Sequence, residues 1–333
     1  MRTRFKFAPI KYALIVYALL ISGLGVAGPS PAIAQMCGPD TWKAWTVTQN
    51  FRGDRAREEI SGVACDLAAS RCIAVNDHRP FAQLFSISGR TITPGDSVDL
   101  IPGDVEPDAE AAAFADGRFY VAGSHGNSRR TNEANEPSYV VARINAQTGT
   151  VEARSDKWRN AISSSAELGP YAAKKLDGGG PGGAGGANIE GLAVWKGRMY
   201  LGFRGPSIGG KAFVMSAALD DVFSGGTASL TATTHSLRLG DRTGIRDLAA
   251  VETGLLVLSG PVNDEAVTPL IWHWNPESGA LDLLGQVSDL PEDVKAETIL
   301  ALPSSDASRY RLLLFFEGEK NGKPAECSVP KPN

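Results

Sequence analysis

Long apolar runs, a surplus of basic charge and a familiar catalytic motif are all missing from this sequence. With 33 Lys and Arg against 37 Asp and Glu, the formal charge is -4 over 333 residues. That balance leaves no electrostatic footprint for nucleic acid or for an anionic membrane surface. The longest apolar run, Tyr12 to Val26, falls short of the ~20 residues that a spanning helix needs. No Ser sits in a GxSxG elbow and no HExxH occurs, so the hydrolase classes built on those motifs find no support. Cysteine is scarce, with four residues and no CxxC pair, which argues against a zinc site.

What the chain has, it has in a definite order. Arg2, Arg4, Lys6 and Lys11 precede the apolar run, and Ala32-Ile33-Ala34 follows it. This is the layout of an export signal over residues 1–34, with the mature domain starting near Gln35 and ending in the periplasm or outside the cell. An exported chain with an even cysteine count favours disulfides. Cys65 and Cys72 flank a short hairpin, which leaves Cys37 to pair with Cys327.

Past residue 35 the sequence repeats. Each unit opens with a hairpin of two short apolar runs: Ile60–Ala64 with Cys72–Asp77, Ala109–Ala113 with Arg118–His125, Asn188–Val194 with Met199–Pro206, Arg246–Ala250 with Leu255–Gly260, and Ala296–Ala301 with Arg311–Glu317. Two more strand-like runs follow four of the five copies, at a period of roughly fifty residues. Four strands per unit at that spacing predict an all-β fold, a single β-propeller of five four-stranded blades, with six as the alternative. The fifth unit lacks an outer strand, which Trp42 to Phe51 is placed to supply. One interval is too long, and its excess around 155–187 reads as an insertion. Asp156 to Ser163 and Pro170 to Leu176 suggest short helices, and the glycines from Asp177 to Ala187 suggest a flexible tether.

The signature residues Gly185-Gly186, Asn188-Ile189-Glu190-Gly191-Leu192-Ala193 and Gly202-Phe203-Arg204-Gly205-Pro206 resemble the bacterial family named domain of unknown function 3616. The turn Gly123-Ser124-His125 and the run Gly244-Ile245-Arg246-Asp247-Leu248-Ala249 resemble its other marks. The resemblance spans about Ile60 to Glu319 and implies a β-propeller; it brings no activity with it. A looser likeness, of pattern only, is to phytase-type esterase propellers and calcium-dependent lactonase propellers.

If the first strand of each blade is innermost, strand starts and hairpin ends gather at one mouth of a central channel. Glu110, Glu190, Asp247 and Glu297 would meet there with Asp77, His78, His125, Arg204 and Arg246. Converging carboxylates need cationic company, from Arg204 and Arg246, from a calcium ion, which suits such oxygens, or from a charged ligand. Glu190 and His125 are the candidates for acid and base chemistry. The others are candidates for holding a small polar or anionic ligand. Three functions fit: ligand binding by a monomer, calcium-dependent hydrolysis of phosphoesters or lactones, and a non-catalytic interaction scaffold. His235 reads onto an outer strand and His273 onto a third strand, and Asp264 and Glu265 lack calcium-loop spacing.

Overall fold

The computed structural model describes residues 35–226, 229–263 and 265–332; the expected export signal and Asp264 lie outside the described residues. Three short strands open the described chain: β1 (Gln35–Cys37), β2 (Lys43–Ala44) and β3 (Thr46–Val47). Blade one is β4 (Ile60–Asp66), β5 (Arg71–Asn76), β6 (Phe81–Ser88) and β7 (Thr91–Asp99). Blade two is β8 (Ala109–Ala115), β9 (Arg118–Gly123), β10 (Val141–Asn145) and β11 (Val151–Ser155). After α1 (Lys157–Ser164), blade three runs β12 (Asn188–Trp195), β13 (Arg198–Gly205) and β14 (Lys211–Ala218), then α2 (Leu219–Phe223) and β15 (Thr233–Arg238). Blade four is β16 (Thr243–Val251), β17 (Gly254–Pro261), β18 (Leu270–Trp274) and β19 (Leu281–Val287). Blade five is β20 (Lys295–Leu302), β21 (Arg309–Glu317) and β22 (Ala325–Pro330), with β2 as its fourth strand.

The inner strands touch in a closed ring: β4 on β8, β8 on β12, β12 on β16, β16 on β20, and β20 back on β4. This is the five-bladed propeller that the repeat predicts. Strand alternation explains its cores, one in each gap between blades. Leu192 and Val194 face blade two, whereas Ala193 and Trp195 face blade four. Small residues set the spacing. A Cβ on Gly62 would lie 2.9 Å from the Ala111 backbone, and one on Gly191 would lie 2.9 Å from Leu248 Cγ.

Closure goes further than expected. β2 completes blade five, but β3 then pairs in parallel with β7 of blade one, and β1 pairs in parallel with β19 of blade four. Residues 35–47 therefore strap three consecutive blades. Both expected disulfides are present: Cys65–Cys72 across paired positions of one hairpin, and Cys37–Cys327 fastening β1 to β22.

Glu326 pins the same strap from inside. Its buried carboxylate accepts bonds from Trp45 Nε1 at 3.2 Å, Arg90 Nε at 3.3 Å and Arg311 Nη2 at 2.6 Å. Arg311, and after it Trp45 and Arg90, outweigh burial and hold Glu326 down at about 2, below its ordinary 4.5. A depressed carboxylate stabilises the fold above its unfolded value and loses that effect as pH falls through the folded one. The melting-temperature gap between the native protein and Glu326→Gln should thus be full above pH 4.5 and close as pH falls to about 2. A gap constant across that window would disprove the assignment.

The insertion departs from expectation in two ways. α1 forms where predicted, but the second helix is one 3-10 turn, Gly169–Tyr171, ended where Ala173 takes a positive φ of 52°. The glycine stretch is no loose tether. Gly185 N–H donates to Gly179 O, Gly186 N–H to Lys175 O and Ala187 N–H to Tyr171 O, all within 3.0 Å. A Cβ on Gly186 would collide with Lys174 O at 2.0 Å.

Candidate functional site

Each inner strand carries an irregularity near its start. The pairing skips one residue between Ile60 and Gly62, Ala109 and Ala111, Ile189 and Gly191, Ile245 and Asp247, and Ala296 and Thr298. The skipped residues are Ser61, Glu110, Glu190, Arg246 and Glu297, one per blade. A bulge of this kind re-aims a side chain, and repeated five times it makes a tier around the channel. Two positions earlier stand Glu59, Asp108, Asn188, Gly244 and Lys295, a second tier.

On the side of blades three to five the tier is a closed ionic plate. Arg204 Nη1 lies 2.8 Å from Glu190 Oε1, and its Nε donates to Val262 O at 2.7 Å. Arg246 Nη1 lies 3.1 Å from Glu190 Oε2, while its Nε and Nη2 form a fork on Glu297 and its Nη2 reaches Glu317 at 3.6 Å. All four central residues are at most 4% exposed. Burial, then the neighbouring Arg204, pulls Arg246 down to about 10, which still leaves it cationic at neutral pH. Burial opposes the charge of Arg204 too, but Glu190 outweighs it and raises that guanidinium.

The side of blades one and two is acidic, and among the described residues no arginine forms an ion pair with Asp77, Asp108 or Glu110. Asp77, Asp108 and Glu110 each place a carboxylate oxygen within 4.8 Å of the others, and Glu59, Asp77 and His78 form an overlapping group. Asp77 Oδ1 is buried without a hydrogen-bond partner. Ser124 Oγ donates to Asp108, and His78 Nε2 stands 3.6 Å from Glu59 and 3.9 Å from Asp77. Burial, reinforced by Asp108 and Glu59, pushes Asp77 up to about 8. Burial raises Asp108 as well, and with Glu190 and Asp108 nearby it lifts Glu110 well above the carboxylate range.

Two expected members lie elsewhere. Asp247 is buried between blades: its Oδ1 accepts from Leu248 N–H at 2.7 Å and its Oδ2 from Ile299 N–H at 2.9 Å. It ties β16 to β20, and Arg246 takes the place in the tier. His125, at φ 55°, sets Nδ1 3.1 Å from Gly123 O and leaves Nε2 buried without a partner. Burial lowers it to about 4, and its charged neighbours are Asp156 and Arg159 of the insertion. An imidazole so depressed is a weak base at neutral pH. Glu59 and Asp108 are additions to the expected set. Their signal was the repeat itself, since both stand two residues before a skipped position.

The family model described as protein of unknown function (DUF3616) matches residues 141–311, just over half of the chain. The chain belongs to this family. The DUF3616 match runs from β10 into β21, so it holds Glu190, Arg204, Arg246 and Glu297 but not Asp77, Asp108 or Glu110. No curated protein matches the sequence. Among solved structures, a GH43 β-1,3-galactosidase with galactodeoxynojirimycin aligns at TM-score 0.50 and 11% identity over 87% of this chain and 94% of its own. Hydrazine synthase from Kuenenia stuttgartiensis aligns at TM-score 0.42 and 11% identity, covering 80% of this chain; the DUF3616 chain spans 58% of that protein. At such identities the likeness is one of fold.

Proposed function

We propose that this protein binds a divalent cation of the calcium class at Asp77, Asp108 and Glu110 and, through it, a small polar ligand at the channel mouth. It would act as a monomer in an oxidising compartment outside the cytoplasm, to which its two disulfides are suited. No described helix is long and apolar enough to cross a membrane. The observation that carries the reading is the three carboxylate oxygens gathered within 4.8 Å, with Arg129 and Arg204 acting on them only from a distance and no arginine ion-paired to them among the described residues. Calcium takes oxygen ligands at about 2.3–2.6 Å, so oxygens on opposite sides of the ion stand about 5 Å apart. The arginines across the channel are already engaged by Glu190 and Glu297. An anionic group would therefore be drawn by the cation, not by the plate.

A hydrolase would use the same cation to polarise a phosphoester or lactone. Binding stands ahead of it, because Glu190 has both oxygens committed to arginines and His125 turns to the insertion. For a scaffold role the plate is the supporting feature, but it leaves the acidic side unexplained.

Thermal melting against calcium tests the proposal. Because the Asp77 value is raised in the fold, its contribution to stability is complete below the ordinary 3.8 and is lost as pH rises through about 8. Calcium should reverse that loss, and protons should compete with it. At a hundredfold excess over Kd the melting temperature should rise by roughly 5 °C near pH 8, with a smaller rise in acid. Glu110→Gln should abolish the rise. A native protein indifferent to calcium throughout the range would reject the site.

A further inference from the structure

On the mouth face a cleft of about 600 Å3 opens between blades four and five, bounded by the loops that follow β17 and β19. It is separate from the acidic cluster of blades one and two. Its walls are apolar where Val267, Pro269, Pro291 and Val294 line it. Its buried cation is Arg246, 2% exposed. Although Arg246 Nη1 is 3.1 Å from Glu190, it makes no aligned hydrogen bond, so a donor is left over. Asn263 Oδ1, also lining the cleft, is a buried acceptor with no donor, since the amide nitrogen of that side chain is turned to Glu265.

An unmet donor and an unmet acceptor in one cavity call for a group that both accepts and donates. A hydroxyl does so. Charge narrows the choice further. Charges of both signs line the cleft, Glu265, Asp289 and Glu292 against Arg246 and Lys295. Glu190, Glu297 and Glu317 already surround the Arg246 guanidinium, so an anion would meet carboxylates there and a cation would meet Arg246. A cavity of this size takes a small organic molecule. We infer that the cleft between blades four and five binds a neutral polyhydroxylated molecule, a cyclic sugar or polyol, with hydroxyls on Arg246 Nη1 and Asn263 Oδ1 and its apolar face on the proline and valine walls.

Saturation-transfer NMR with galactose and with myo-inositol tests this on the full chain. The native protein should transfer magnetisation to at least one of them. Ala266→Trp, at the exposed rim of the cleft, should fold normally and bind about tenfold more weakly or worse. Arg246→Lys keeps the charge but loses the fork, and should also weaken binding about tenfold, the scale of one charged hydrogen bond. Glu110→Gln should bind as the native protein does, which separates this cleft from the cation site. Absence of transfer to both probes, or transfer unaltered in Ala266→Trp, would overturn the inference.

Discussion

Arg246→Met should lower stability by about 3–5 kcal/mol, the scale on which removing one partner of a buried ion pair acts. Arg246, on blade four, contacts three carboxylates, Glu190 of blade three and Glu297 and Glu317 of blade five. Without it, among the described residues, Glu297 keeps no guanidinium and Glu190 keeps only Arg204. The midpoint of thermal unfolding should fall by roughly 5–8 °C. Adding Glu297→Gln to the variant should recover part of the loss, because the stranded charge goes with it. If Arg246→Met melted with the native protein, the plate would not be what holds these blades in register.

The second large effect belongs to the strap. Replacing Cys37 and Cys327 by Ser opens a loop of 290 residues, whereas replacing Cys65 and Cys72 opens one of 7. Chain entropy alone assigns about 6 kcal/mol to the first and about 2 kcal/mol to the second. Non-reducing melts of the two double-serine variants should therefore differ in that order. A larger loss from the short hairpin would mean that ring closure does not depend on the long-range bridge.

The repeat made most of the fold legible, because each blade restates one pattern: an apolar residue, a variable one, a small one, then a strand. Laid in that phase, Ile245-Arg246-Asp247 matches Ile189-Glu190-Gly191, and Arg246 is the tier residue. Sequence reading instead favoured Asp247, since acids line the other blades and strict alternation does not anticipate a bulge. His125 misled for a related reason. Its place at a hairpin end is correct, but φ 55° turns it toward Tyr139, with ring centroids 5.8 Å apart. Backbone sign is not written in a single histidine. The glycine stretch misled through composition, since its order comes from backbone bonds to Tyr171 and Lys175, not from its own side chains. The unbalanced acids were half visible. Asp77 and Glu110 stood out as strand-end residues, while Glu59 and Asp108 were hidden in what looked like linker.

The placement of β1, β2 and β3 also orders events during synthesis. Residues 35–47 leave the ribosome ahead of every blade, yet two of their three partner strands lie at 281–287 and 325–330. β3 can seat early on β7, but β1 and β2 have to wait, unseated, until those late strands are made. A reporter fused directly ahead of Gln35 would ride on that waiting segment and report the final docking step, whereas one inserted at the exposed Gly225 turn would report only local hairpin formation.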